Sequence, residues 1–183
     1  KYQQYSRIAR GLEKADLVLK DARIVNVFTE EIIRGDIAIQ DGIIAGIGSF
    51  HGKEERDLAG RYVCPGFIDS HLHLESTLVT PAELVTAASR HGTTTFIVDP
   101  HESANVSGLA GIDYILDQTE DVKANVYVMM PSCVPATAID DNGCTLTAED
   151  MAPYLHNSRI LGLGEVMDSI SVVQGEKSMH DKL

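Results

Sequence analysis

The stretch "CPGFIDSHLHLES", residues 64–76, sets two histidines one residue apart at the end of an apolar run. Alternate residues of a β-strand share a face, so His71 and His73 are expected to project side by side from a strand end. Two neutral imidazoles so placed can share one divalent cation; on a plain loop they would be two solvated histidines. The preceding strand, Pro65-Gly66 and the trailing Glu75 favour the metal. Three further clusters follow. "VDPHESANVSG" carries Asp99, His101 and Glu102, which could supply a metal ligand, a proton shuttle or a substrate hydrogen bond. They are candidate catalytic residues with roles unassigned. "MMPSCVPAT" presents Ser132, Cys133 and Thr137 on a loop held by two prolines, a wall for a small planar ligand. Cys133 has no histidine near it in sequence, so lining is favoured over nucleophilic attack. "RILGLGE" ends in Glu165, whose neighbouring glycines let the backbone approach closely. A carboxylate there could bridge two metals, one of them held by His71 and His73.

Each cluster closes a strand-like run, and the elements between them suggest how they meet. From residue 63 onward "GFIDSHLH", "TTTFIVDPH", "ANVYVMMP" and "RILGLGE" read as strands. "PAELVTAASRHG", "GLAGIDYILDQTED" and "TAEDMAPYLHNS" between them read as helices. "TTTFIV" is nearly continuous in apolar and β-branched residues, which suggests burial on both faces. Thr147 with Asp150 three residues on is a near match to a capping box, with Pro153 limiting the first turn. Alternation of this kind predicts an α/β fold with a parallel sheet and helices outside. Parallel barrels place active sites at the C-terminal strand ends, which is where all four clusters fall. Residues 1–62 differ: short β-rich runs broken by turns, with Asp41-Gly42 as a hairpin signal, predict a small β-domain.

A (β/α)₈ barrel takes ~250 residues, whereas residues 63–183 supply roughly 120 and four strands, half of one. Half a barrel leaves an open edge, so more protein or another chain is expected to complete it. "VVQGEKSMHDKL" reads as a helix cut off in mid-course, and a first residue of lysine suggests a trimmed start; the chain is expected to be a piece of a longer protein.

Composition narrows the partners. Twenty-seven acidic against fifteen basic residues give a net charge of −12. That charge disfavours nucleic acid and anionic membrane surfaces. No apolar run approaches the ~18 residues of a spanning helix, and "KYQQYSRIARG" lacks the apolar core of a signal peptide, so a cytoplasmic location is expected. Cys64, Cys133 and Cys144 are odd in number and form no CxxC pair, which indicates neither a disulfide framework nor a zinc ribbon.

"PGFIDSHLHLES" resembles the first-strand metal motif of the amidohydrolase superfamily, and the β-rich segment before it resembles part of that superfamily's small composite β-sandwich domain. "HGTTTFIVDPHESANVSG", "MPSCVPAT" and "RILGLGEVMD" are similar to its bacterial adenine-deaminating family, over residues 16–168. The resemblance implies the first half of a (β/α)₈ TIM-type metal-dependent hydrolase barrel with a binuclear site, usually manganese or iron, zinc being a third candidate. His71 and His73 would bind one metal and Glu165 would bridge both. The implied reaction is adenine plus water to hypoxanthine plus ammonia, with a metal-activated water as nucleophile. The family's remaining ligands, two histidines and an aspartate of later strands, have no counterpart within residues 1–183, so this chain alone is expected to be inactive. A homo-oligomer is the expected state. Two rival readings remain: another cyclic amidohydrolase of the superfamily, and a non-catalytic metal-binding or assembly subunit.

Overall fold

The computed structural model describes residues 1–183. The chain divides into two units, Lys1–Pro65 and Gly66–Leu183.

In the first unit the apolar alternation of "ADLVLKDARIVN" makes β1, Ala15–Asn26, the strand on which the others assemble. β2 (Glu31–Gln40) lies antiparallel to β1, and β3 (Ile43–Gly48) antiparallel to β2. Asp41 and Gly42 between them have φ of 51° and 74°, the two positive values that a two-residue hairpin turn demands. β4 (Gly52–Asp57) and the two-residue β5 (Tyr62–Val63) run parallel to successive parts of β1, giving five strands in one mixed sheet. An N-terminal helix α1, Tyr2–Ala9, not foreseen in the sequence, buries Ile8 against Ala15, Val18, Ala38 and Phe50. The buried Asp36 carboxylate accepts from Lys20 Nζ (2.5 Å) and from the amides of Asp21 (3.1 Å) and Phe50 (3.2 Å). These bonds hold its carboxyl below the usual range although burial alone would raise it.

The second unit is a four-stranded parallel sheet in the order β6-β7-β8-β9, formed by Phe67–Leu72, Thr93–Val98, Asn125–Met130 and Ile160–Leu163. Helix α2 (Pro81–Ser89) follows β6, α3 (His101–Ser107) and α4 (Leu109–Gln118) follow β7, and α5 (Ala148–Met151) precedes β9. In α4, Ile112, Ile115 and Leu116 recur at helical spacing and bury one face of the helix. They pack with Val85 of α2, Phe96 and Val98 of β7, and Val126, Val128 and Met130 of β8. Thr147 and Asp150 form a full capping box at the start of α5, and Pro153 then lies in a 3₁₀ turn, Ala152–His156.

Three sequence expectations need correction. The helices of this unit cover one face of the sheet only, so β7 buries Phe96 and Val98 fully while Ile97 on its other face stays half-exposed. "HESANVS", assigned to no helix from the sequence, is helix α3. The tail is two short helices, α6 (Ser169–Gln174) and α7 (Lys177–His180), because Gly175 between them adopts φ 73° and ends the first.

Candidate metal centre

His71 is the penultimate residue of β6, and His73 lies just past its end. Leu72 between them packs against the core, so both imidazoles leave from the sheet face that no helix covers. A register irregularity against β7 between Asp69 and Leu72 sets that phase. His71 Nε2 and His73 Nε2 stand 3.2 Å apart. Glu165, two residues beyond β9, brings Oε2 to 3.7 Å from His71 Nε2 and Oε1 to 3.6 Å from His73 Nε2. β6 and β9 are the two edges of the sheet, three strand spacings of ~4.8 Å or about 14 Å apart if it were flat. Their side chains meet because the sheet curls toward this face and both strands end there.

Glu165 also belongs to a second cluster of potential ligand atoms, with Asp99 and His101. Asp99 lies just past β7 at 1% exposure and His101 begins α3 at 5%. Asp99 Oδ1 lies 2.6 Å from His101 Nδ1, but the angle is not that of a hydrogen bond, and neither atom nor His101 Nε2 has another partner. The other carboxylate oxygen, Asp99 Oδ2, accepts from the backbone N–H of Glu165 at 3.0 Å. Ser132, fully buried, donates its hydroxyl to the carbonyl of the same residue. Glu165 is thus held on both sides of its Cα by the loops that follow β7 and β8. Gly164 makes this fit, since a Cβ there would stand 2.2 Å from Asp99 Oδ2.

Cys133 is buried behind this arrangement, with Sγ 3.1 Å from Ser132 Oγ and 3.4 Å from the Asp168 amide that donates to it. Thr137 is not brought to the cluster: it is exposed, and its amide and hydroxyl both donate to Asp140 Oδ2, at 2.8 and 2.6 Å.

Residues 62–176 match the Amidohydrolase family. The chain belongs to that family. Among its relatives, adenine deaminase of Desulfitobacterium hafniense (strain Y51) is 60% identical over 94% of this chain and 30% of its own length. Adenine deaminase of Geobacillus kaustophilus (strain HTA426) is 50% identical over 93% of the chain and 30% of its own. The chain therefore spans about 30% of the length of the curated relatives it matches. In three dimensions it resembles an N-acyl-D-glutamate deacylase from Bordetella bronchiseptica, crystallised with zinc and a phosphonate inhibitor. That match has a TM-score of 0.50 at 22% identity, covering 64% of this chain and 30% of the other, a likeness of fold.

A divalent metal is the cofactor of an amidohydrolase site of this kind, and the donor set fits one. Nitrogen and carboxylate bonds of ~2.1 Å at tetrahedral angles place ligand atoms about 3.4 Å apart. The 3.2, 3.6 and 3.7 Å separations among His71, His73 and Glu165 bracket that spacing. One ring nitrogen from each histidine and one carboxylate charge also suit the borderline character of such ions.

Behind His73 this amidohydrolase has a carboxyl pair. Glu75, in the 3₁₀ turn Glu75–Thr77, accepts from the Ser103 amide at 3.0 Å through Oε1, while Oε2 is buried without a partner. Burial pushes this carboxyl up, and the neighbouring Glu102 adds to the rise. For Glu102 burial also acts upward but is outweighed by its own backbone amide, the charge of His73 and bonds from Glu75 and Ser76, so it is held low. The sequence showed Glu75 only as a residue trailing the histidines. Its signal was the proximity of "HLHLES", with no indication that "DPHES" would fold onto it.

Proposed function

We propose that this chain carries the metal-binding strands of a hydrolytic adenine deaminase, which converts adenine and water to hypoxanthine and ammonia. The observation that carries the reading is the convergence of His71, His73 and Glu165 from opposite edges of the parallel sheet. Its context, a chain 60% identical to an adenine deaminase along 94% of its length, supplies the substrate. When bound, the cation acidifies a water for attack on the amidine carbon of the ring. The two histidines offer neutral Nε2 atoms, and Glu165 offers an oxygen to either side. Asp99 and His101 form the proton-handling pair: the carboxylate favours a proton on Nδ1 and leaves Nε2 to accept one and return it to the departing amine. Ser132 and Cys133 back the site behind Glu165, and Thr137 belongs to its outer loop.

The finer reading that goes with this has residues 63–183 as the first half of a (β/α)₈ barrel and residues 1–62 as part of a small composite β-sandwich domain. It takes the centre as binuclear with manganese or iron, zinc third, in a cytoplasmic homo-oligomer. The two unpaired sheet edges, β6 and β9, support the half-barrel.

The test is metal analysis with an ammonia-release assay on the full-length protein, set against a hydantoin and a dihydropyrimidine. Adenine is expected to be turned over in preference to both, with His71→Ala and Glu165→Gln each lowering turnover at least a hundredfold. Unchanged turnover in both variants overturns the site, and preference for ring opening overturns the substrate.

A further inference from the structure

We propose that Glu102 is a positioning residue for His73, holding the proton on Nδ1 so that Nε2 is the free donor to the cation. The inference rests on the metal reading above. A neutral imidazole has one protonated and one free nitrogen, and a ring that ligates through Nε2 must carry its proton on Nδ1. His73 presents Nε2 to His71 Nε2 at 3.2 Å and to Glu165 Oε1 at 3.6 Å. Its Nδ1 faces Glu102 Oε2 at 3.1 Å, an acceptor and not a donor once the carboxyl is ionised.

Glu102 is itself fixed. Its Oε1 accepts from Ser76 Oγ at 3.1 Å, and the next residue, Ser103, donates its amide to Glu75 at 3.0 Å. The turn after the histidines and the first turn of α3 are therefore latched by two reciprocal bonds, and the latch sets where Glu102 meets the ring. His71 has no such partner, and its side chain is 51% exposed against 23% for His73. One histidine of the pair is oriented and the other is free to adapt. A carboxylate behind a ligating histidine fixes the tautomer and raises ligand basicity.

Two readouts on the full chain test this: zinc affinity by competition with a chromophoric chelator, and the His73 tautomer by nitrogen NMR of the metal-free protein. Glu102→Ala is expected to weaken zinc binding about 10- to 100-fold and to move the His73 proton toward Nε2. Glu102→Gln, whose amide oxygen still accepts from Nδ1–H, is expected to keep the Nδ1–H tautomer and most of the affinity. Zinc affinity and tautomer both unchanged in Glu102→Ala overturn the inference, as does an affinity loss with the tautomer unmoved. If Glu102→Ala fails to fold, Ser76→Ala takes its place and must shift the tautomer in part. His73→Ala separates the two layers: if it leaves zinc affinity intact the metal reading falls, whereas the tautomer measurement needs no metal and still decides the role of Glu102.

Discussion

Gly164 has no room for a methyl group, because the buried carboxylate of Asp99 occupies that space while accepting from the next amide. Gly164→Ala is expected to displace one or the other, costing about 1–3 kcal/mol by overpacking and weakening metal binding at least tenfold. Chemical denaturation and metal titration measure the two effects; an alanine variant that keeps wild-type affinity would show that the position of Glu165 does not depend on this contact. Of the site residues, those at or just past a strand end were the legible ones. His71 and His73 follow from a period of two, and Glu165 from its place after a strand. Less legible was what Asp99, Ser132 and Glu102 touch: Asp99 meets an amide 66 positions away and Ser132 a carbonyl 33 away. Such contacts are fixed by the registers of parallel strands, which no local pattern encodes.

Elements with a local signature were readable for the same reason. The Asp41-Gly42 turn, the Thr147–Asp150 box and the apolar face of α4 each state their geometry within a few residues. Helix α1, eight mostly polar residues burying Ile8 alone, and α3, seven residues long and directly after a proline, are too short for an apolar pattern to mark them. Arg159, just before β9, donates to the carbonyls of Val126 and Leu116 at 3.1 and 2.8 Å, tying β8 and the end of α4 together. Tyr154 makes a second tie, its hydroxyl donating to Asp113 of α4 at 2.7 Å from the 3₁₀ turn before β9. Burial first, then the hydrogen bond and charge of Asp113, push its phenol up to about 12 from a reference of 10.0. The folded state keeps this proton where the unfolded chain releases it, so the contribution is complete below about pH 10 and disappears as pH rises toward 12. Denaturation across that window is expected to show a loss of stability that Tyr154→Phe reduces. Phenolate absorbance should show a tyrosine titrating near 12 that vanishes in the variant.

For the whole molecule, a net charge of −12 sets the electrostatic background for cation capture. No helix is long and apolar enough to cross a membrane. A metal ion that binds the folded chain and not the unfolded one stabilises it by mass action, about 2.7 kcal/mol at a hundredfold excess over Kd. For a domain of this size that is a rise in Tm on the order of 10 °C. Thermal denaturation with and without chelator tests it, and His71→Ala should abolish the difference; an equal shift in that variant would place the binding elsewhere. The grips of such an ion are the outermost strands, β6 and β9, with β7 and β8 enclosed between them. While the ion is held, the enclosed strands cannot peel from their neighbours without first breaking a coordination bond. The breathing of the sheet's middle, seen as amide hydrogen exchange in β7 and β8, therefore becomes a function of free metal concentration.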